Sequence, residues 1–201
     1  FTLRRMRFIP KGSLSKTVKW GFHLGWDQQK AVIYDAYIDF HISKSFKIKI
    51  GQFAPPAAIS AALTSSAKLD LVERAMVTQK WGGNSLLFGY RAMGVQAYGD
   101  LMDGKLYYGF MLANPSTTSW FSPRVSAPGY SHDLNGIAFW GRLEAKPVDG
   151  LRIGAFFGTS DMKAYENEDE YTTQSYGAHL FYVKNGINFK AEYLAGKRGP
   201  K

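Results

Sequence analysis

An all-β fold, in the form of a transmembrane antiparallel β-barrel, is predicted by three features of this 201-residue chain. Apolar and polar residues alternate over many segments, which is the period of an extended strand. Several of these segments have nine or more residues. Strands of soluble proteins usually have about 5–6 residues, whereas a tilted strand that crosses a membrane needs about 9–11. The connections are also short at one end and long at the other, as in barrels that span a membrane.

The alternation predicts ten strands, of which residues 18–27 form the clearest. The apolar face of this strand carries Val18, Trp20, Phe22, Leu24 and Trp26, and its polar face carries Lys19, Gly21, His23, Gly25 and Asp27. The ten strands lie at residues 1–9, 18–27, 31–42, 46–51, 92–99, 105–112, 137–144, 151–157, 176–182 and 187–193. In residues 31–42 the even-numbered positions from Val32 to Ile42 form the apolar face.

The apolar faces are predicted to contact lipid. Their side chains include Trp20, Trp26 and Phe40, which would overfill the interior of a small barrel but fit well against acyl chains. The alternative is a soluble β-sandwich or lipocalin-like barrel, in which the same faces would form the core. We expect in particular that the even-numbered apolar face from Val18 to Ile50 contacts lipid, because it holds no charge.

The lengths of the connections support the same fold. Compact turns are predicted at residues 43–45, 101–104, 147–150 and 184–186. Long connections fall at the opposite end, at residues 54–91, 114–133 and 159–172, with residues 28–30 as the one short link there. Outer-membrane barrels place short turns at the periplasmic end and longer loops at the extracellular end.

Composition agrees with a barrel and excludes several kinds of site. The chain has 21 glycines and 15% aromatic residues, which suit tight turns, crowded inward positions and interfacial girdles. It has no cysteine, so disulfides, thiolate metal sites and cysteine nucleophiles are excluded. No apolar run reaches 18 residues, which excludes a transmembrane helix.

The polar faces would line a channel with a basic majority. The whole chain has a formal charge of +9, from 25 Lys and Arg against 16 Asp and Glu. The basic residues expected to line the lumen are Arg5, Arg7, Lys19, Lys47, Lys49, Lys105, Arg142, Lys146, Arg152 and Lys190. The acidic ones are Asp27, Asp35, Asp39, Glu144 and Glu192, and we expect some of these to pair with cations on neighbouring strands. A positive lumen favours the entry of anions and repels cations.

The connection at residues 54–91 is too long for a plain loop. Its small apolar residues from Ala57 to Ala62 indicate packing inside the barrel. An inward fold would narrow the pore and bring a set of polar and basic residues near the permeating ion. These constriction candidates are Ser60, Ser65, Ser66, Lys68 and Arg74. An extracellular lid without contact to the cargo is the alternative.

Catalysis is not predicted. The four histidines, His23, His41, His132 and His179, lack the spacing of metal ligands. Serine, histidine and aspartate form no triad motif, and the glycines fall singly rather than in a phosphate-binding loop. We therefore predict no enzyme activity, no metal and no cofactor, and an outer-membrane esterase or protease is the enzymatic alternative.

Three segments of the chain form a specific block of motifs: Gly51-Gln52-Phe53-Ala54-Pro55-Pro56, Thr64-Ser65-Ser66 and Glu73-Arg74. Further motifs lie at Leu3-Arg4-Arg5-Met6-Arg7, Asp35-Ala36-Tyr37-Ile38, Met93-Gly94-Val95-Gln96-Ala97-Tyr98-Gly99, Asn114 and Gly141-Arg142-Leu143. In these motifs and their order the chain resembles the phosphate-selective porin O and P family.

The resemblance implies a trimeric outer-membrane porin of about sixteen strands. It also implies that the loop between Phe53 and Arg91 constricts the lumen and that arginines and lysines guide anions. Ten strands are too few for such a barrel. The chain opens on Phe1-Thr2-Leu3-Arg4 without a signal peptide and ends on Gly199-Pro200-Lys201. We therefore expect residues 1–201 to be a single barrel domain that is incomplete at both ends.

The leading function is passive diffusion of small, phosphate-like anions through a pore in a Gram-negative outer membrane. The expected partners are lipid, small anions, and either two further copies in a homotrimer or an envelope complex. A structural or accessory barrel within an envelope complex, with little conduction, is the alternative. Binding of nucleic acid is disfavoured because the aromatic and basic side chains are predicted to lie on opposite faces.

Overall fold

The structure, a computed structural model, describes residues 5–27, 30–59, 91–114, 137–162 and 171–200. These residues form eleven β-strands and one short 3-10 turn at Met102–Gly104. The strands are β1 (Arg5–Phe8), β2 (Lys11–Ser13), β3 (Val18–Asp27), β4 (Lys30–His41), β5 (Lys47–Phe53), β6 (Ala92–Leu101), β7 (Leu106–Ala113), β8 (Ala138–Ala145), β9 (Leu151–Met162), β10 (Tyr171–Lys184) and β11 (Ile187–Pro200).

All eleven strands belong to one antiparallel sheet. Its order is β1-β3-β4-β5-β6-β7-β8-β9-β10-β11, and β2 pairs with β3. Each strand from β3 onward therefore lies beside its neighbour in sequence, which is the meander of an up-and-down barrel. In the part of the chain that the structure describes, the sheet stays open between β1 and β11. The predicted all-β barrel fold is confirmed.

The eleventh strand was not predicted, and a proline accounts for it. Both β1 and β2 pair with β3, so together they continue one line that is interrupted at Ile9 and Pro10. Proline has no N–H to donate to the ladder. Its carbonyl still takes part, because the N–H of Phe22 donates to Pro10 O at 3.0 Å.

Several strands are longer than the alternation predicts. The prediction gave residues 176–182 and 187–193 for strands that cover Tyr171–Lys184 and Ile187–Pro200, each with 14 residues. The added residues include Thr172, Thr173 and Gln174, which show no apolar alternation but continue the pairing with β9 and β11. Strands of this length can cross a bilayer at a tilt.

The two faces of the sheet differ in the way that the alternation predicts. We call the face with Lys47, Lys49, Arg142 and Glu144 the polar face, and the other the apolar face. Large side chains on the apolar face remain exposed, including Trp26, Ile38, Ile50, Val95, Phe110, Leu112, Leu143, Phe157, Leu180 and Phe189. A band of this size is costly in water and is typical of the lipid-facing surface of a membrane barrel.

The alternation is wrong in the first half of β4, where a β-bulge changes the parity. The register of β3 against β4 shifts between His23 and Leu24, so that Tyr34 is the extra residue. Tyr34 is only 1% exposed and its ring packs at a tilt against His23 on the polar face, whereas Ile33 is exposed. A bulge adds one residue to one strand and so moves every side chain before it to the other face. The Gln52 amide donates to Ile33 O at 2.8 Å and Tyr34 O at 3.1 Å, which satisfies carbonyls at the bulge.

The compact turns lie at one end of the sheet, as predicted. The tightest joins β10 to β11 through Asn185 and Gly186, whose φ angles are 53° and 78°. Two such residues form the mirror-image turn that suits the right-handed twist of a hairpin. The connections at the opposite end include residues 28–29, 60–90, 115–136 and 163–170, which lie outside the described residues. In the described ranges, no helical segment is long and apolar enough to cross a membrane.

We expect Ile50→Arg to destabilise the folded barrel by about 2–4 kcal/mol, because Ile50 lies on the apolar face within the strand span. Urea unfolding of the protein in lipid vesicles measures this loss. The control is Asn188→Arg, on the polar face of β11 by register, where the guanidinium can remain hydrated. Equal losses in the two variants would contradict the lipid contact of the apolar face.

Candidate functional site

On the polar face, large rings lie close to glycines of the neighbouring strand. A Cβ atom at Gly158 would overlap the indole of Trp140, and one at Gly154 would overlap the ring of His179. A Cβ at Gly177 would likewise be too close to Phe156, at 2.6 Å from the ring. Each glycine lies next to the strand that supplies the ring. The absence of a Cβ atom at these glycines therefore leaves room for the rings against the sheet.

Glu144 of β8 is the centre of the first charge cluster. Arg152 of β9 donates to its two oxygens at 3.0 and 2.8 Å, and His179 Nε2 of β10 lies 3.1 Å from Oε2. Arg142 Nη2 lies 3.8 Å from the same oxygen. Glu144 and His179 are each 3% exposed, so this carboxylate holds groups from three strands in a buried site.

Asp39 of β4 is the centre of the second cluster. The Tyr98 hydroxyl donates to Oδ2 of Asp39 at 2.6 Å, and Lys49 Nζ and His41 Nε2 lie 3.7 and 3.4 Å from it. Lys47, two residues before Lys49, instead bridges to Asp100 of β6 at 3.1 Å. Lys47 and Lys49, two of the lysines predicted to line the lumen, are therefore both paired with carboxylates.

A third cluster lies where β1, β3 and β4 meet. Asp35 accepts from His23 at 3.0 Å and forms an ion pair with Arg91, just before β6. Arg7 of β1 donates to the Tyr34 hydroxyl at 3.2 Å, and its guanidinium lies 4.7 Å from the centre of the Tyr34 ring. The bulge at Tyr34 thus turns an aromatic ring toward these cations.

Several basic side chains of the polar face also stack on aromatic rings. Lys49 Nζ lies 4.6 Å from the ring centre of Tyr37 and 5.2 Å from that of Tyr98. The Arg142 guanidinium lies 4.7 Å from the ring of Tyr107. Cations held over ring faces are stabilised by the ring quadrupole. The prediction that aromatic and basic residues occupy opposite faces is therefore wrong for these tyrosines, because a strand rich in aromatics presents rings on both faces.

Residues 54–59, which we call the crossing segment, lie against the polar face. Ala57 and Ala58 are fully buried in a cluster with Met111, Trp140 and Phe156, which come from β7, β8 and β9. The N–H of Ile59 donates to Oε1 of Glu192 on β11 at 2.8 Å. The crossing segment thus runs from the end of β5 to β11.

The reach of the crossing segment requires the sheet to curve. Six strand spacings separate β5 from β11, a path of about 29 Å along the sheet. Six residues span at most about 21 Å when fully extended. The crossing segment is shorter than that, because the Ala57 N–H folds back to Pro55 O at 2.8 Å, and the Glu192 side chain adds only a few ångströms. The polar face is therefore concave.

The other predicted lumen residues are more scattered. Lys19 is exposed on the polar face opposite Asp39, and Arg5 pairs with Asp27 in the backbone register. A cavity of about 540 Å³ opens at the short-turn end of the wall. It is lined by Lys105, Lys146, Arg152, Phe181 and Lys190, among others. The constriction candidates Ser60, Ser65, Ser66, Lys68 and Arg74 lie outside the described residues.

Sequence reasoning missed three charged residues of this wall. Lys11 of β2 pairs with Gly21 and so shares the polar face. Asp100 continues the alternation of Gly94, Gln96 and Tyr98, and it would have been found if the predicted strand had been extended by one residue. Arg91 lies just before β6 and was assigned to the long connection. No local signal could have found its contact with Asp35, since that depends on the packing of distant segments.

The clusters offer no metal centre. Among the described residues, no three histidine, aspartate or glutamate side chains are arranged to hold a metal ion. The described histidines, His23, His41 and His179, each lie within 3.4 Å of a single carboxylate. The arrangement can hold fixed charges and hydrogen-bonding groups along a concave wall.

A sheet of long meandering strands, with an exposed apolar band on one side and fixed charges on its concave side, defines a transmembrane β-barrel of the channel-forming kind. The sequence profile of the phosphate-selective porin O and P family matches residues 1–199. The chain therefore belongs to this family of outer-membrane porins. No curated protein gives a significant match to the chain. Membership in a porin family indicates a channel rather than an enzyme.

Proposed function

We propose that this protein forms a pore in a Gram-negative outer membrane through which small anions diffuse passively. The observation that carries this proposal is the excess of basic side chains on the concave polar face. The barrel would contact outer-membrane lipid through its apolar face and would assemble as a homotrimer, as its family resemblance implies. Neither a cofactor nor an energy source is needed for such passage.

The excess can be counted over those wall residues outside the short turns whose side chains the structure describes. The basic residues are Arg7, Lys11, Lys19, Lys47, Lys49, Arg91, Arg142, Arg152 and Lys190. The acidic residues are Asp35, Asp39, Asp100, Glu144 and Glu192. Nine basic against five acidic side chains leave four positive charges in excess. The field of this excess reaches an ion in the lumen.

The pairing of individual charges decides how selectivity arises. Lys47 lies 3.1 Å from Asp100, and Lys49 lies 3.7 Å from Asp39. The opposite charges of a close pair largely cancel for an ion farther away than their separation. Selectivity therefore depends on the sum of charges along the wall rather than on two isolated lysines. Because the lumen is hydrated, the effect is expected to be moderate and to weaken with salt.

The connection after Phe53 is proposed to narrow this pore. The support is the position of the crossing segment, whose buried alanines pack on the polar face, on the same side as the charge clusters. A segment on the concave side of a barrel occupies cross-section that would otherwise be open to solutes. Small ions would then pass close to the wall, where the excess charge acts most strongly.

Current through planar bilayers tests the proposed function. We expect the full-length protein to give steps of current and, in a salt gradient, a reversal potential of the sign for anion preference. The preference should increase as ionic strength falls, because the Debye length grows from about 10 Å at 0.1 M to about 30 Å at 0.01 M. Replacing chloride by phosphate on one side measures which of the two passes more readily.

Two outcomes would overturn the proposal. Cation preference at low salt would contradict the basic wall as the source of selectivity. Absence of current from correctly folded protein would favour the accessory barrel instead. Folding is checked on the same samples by gel electrophoresis, in which a folded barrel migrates differently before and after boiling.

A further inference from the structure

We infer that Glu192 is a positioning residue that holds the crossing segment against the polar face and so sets the width of the pore. The inference rests on the proposed function, because it assigns a width to a pore. It names a residue of β11 that neither the charge pattern nor the length of the connection singles out.

The contact joins two remote parts of the chain. The Ile59 N–H donates to Glu192 Oε1 at 2.8 Å across 133 positions of sequence. Ile59 is 7% exposed, so the bond is sheltered from water on the side of Ile59. A backbone N–H that donates to a carboxylate forms a charge-assisted hydrogen bond, which is stronger than one between neutral groups. Among the described strands, β11 lies farthest from β5 in the sheet order, and this bond ties the crossing segment to it.

The backbone of the crossing segment offers few N–H groups that could pair with a strand. Pro55 and Pro56 have no N–H, and the N–H of Ala57 is used by Pro55 O within the segment. The segment therefore cannot pair with a strand over its length. Ala57 and Ala58 do pack on Met111 and Trp140, but methyl groups on an apolar surface give burial without a fixed direction. The bond from the Ile59 N–H to Glu192 adds a directional constraint to this packing.

The location of Glu192 suits this purpose. Its backbone partner on β10 is His179, which is held by Glu144 of β8. Gly154 of β9 lies between them in the register and leaves room for the His179 ring. The wall beneath the contact is thus braced across four strands, from β8 to β11. Because the wall is braced, Glu192 has a fixed position, and its bond to Ile59 fixes the crossing segment relative to the wall.

Permeation of neutral solutes tests this inference without involving anion preference. We expect Glu192→Ala to raise the rate at which neutral oligosaccharides near the wild-type size limit swell proteoliposomes several-fold. Small sugars that already pass freely should change little. Glu192→Gln keeps an oxygen that can accept from Ile59, so its size limit should stay close to that of the wild type. A merely structural loss would affect thermal stability without this dependence on solute size.

Asp100→Ala is the matched control. It also removes one carboxylate from the polar face, but Asp100 bonds to Lys47 rather than to the crossing segment. We expect it to leave the size limit for neutral solutes unchanged. If Glu192→Ala and Asp100→Ala give the same size limit, Glu192 does not hold the segment and the inference is overturned.

A cross-link tests the contact even if Glu192→Ala does not fold. The chain has no cysteine, so Ile59→Cys with Glu192→Cys provides a unique pair for a short bifunctional thiol reagent. We expect cross-linking in the folded barrel and a neutral-solute limit near that of the wild type once the bridge forms. No cross-link in folded protein, under conditions that label each single cysteine variant, would also overturn the inference. If wild-type protein conducts no ions, the cross-link still decides the contact while the proposed function fails.

Discussion

The double variant Lys47→Glu, Lys49→Glu is expected to abolish anion preference at low ionic strength. The change lowers the basic residues of the described wall from nine to seven and raises the acidic ones from five to seven, so the excess of four charges disappears. Each wall charge is worth about 1 kcal/mol to an ion at about 4 Å in water-like surroundings. The ratio of anion to cation permeability should therefore fall several-fold, measured as a reversal potential near zero in a salt gradient.

Two further variants make this result interpretable. Lys47→Gln with Lys49→Gln removes two positive charges without adding negative ones next to Asp39 and Asp100, and should give about half the shift. Lys16→Glu with Lys44→Glu reverses the same number of charges in exposed turns, where solvent screens them. An unchanged reversal potential in the Lys47 and Lys49 variants at low salt would mean that these residues do not act on the conducting path.

Glu144→Ala is expected to lower the free energy of unfolding by about 3–5 kcal/mol, the usual result of removing one partner from a buried ion pair. The carboxylate is 3% exposed and holds Arg142, Arg152 and His179. Arg152 is 42% exposed in its side chain and can turn to water when the carboxylate is lost. Arg142 and His179 are buried, so they would lose their acidic partner without being able to turn to water. Urea unfolding in lipid vesicles measures the change.

Asp149→Ala is the control for this prediction. Asp149 also forms an ion pair, with Lys184 at 3.0 Å, but its side chain is 86% exposed in a turn. Pairs of this kind contribute little because water and salt screen them. Glu144→Gln should lie between the two, since the amide oxygen can still accept from Arg152. If Glu144→Ala and Asp149→Ala unfold at the same urea concentration, the cluster does not stabilise the wall.

The basic residues of the wall are paired with carboxylates more often than the sequence predicts. The predicted view was of single lysines and arginines guiding anions, with some pairing to acids. The structure places carboxylates beside Lys47, Lys49, Arg91, Arg142 and Arg152. Fixed pairs give the wall a set of oriented donors and acceptors in addition to its net charge. The Lys47 and Lys49 variants change the net charge of the wall, whereas the Glu144 variant disrupts a fixed cluster.

The sequence by itself determined the fold class, most strand positions and the faces on which most side chains lie. These features follow from a period of two residues and from turn residues such as Asn185-Gly186, and both act over a few neighbouring positions. Lys47 and Lys49 had to share a face because they are two positions apart. The prediction that short and long connections lie at opposite ends also came from the sequence, because alternate connections of a meander lie at the same end of the sheet.

Only the tertiary structure decided which charges meet and where the crossing segment lies. Glu144 contacts His179 over 35 positions, Lys47 contacts Asp100 over 53, and Ile59 reaches Glu192 over 133. These contacts depend on strand register and on the curvature of the sheet. The alternation of apolar and polar residues along one strand determines neither. The bulge at Tyr34 has the same origin, because the extra residue is set by pairing between β3 and β4 rather than by the residues of β4.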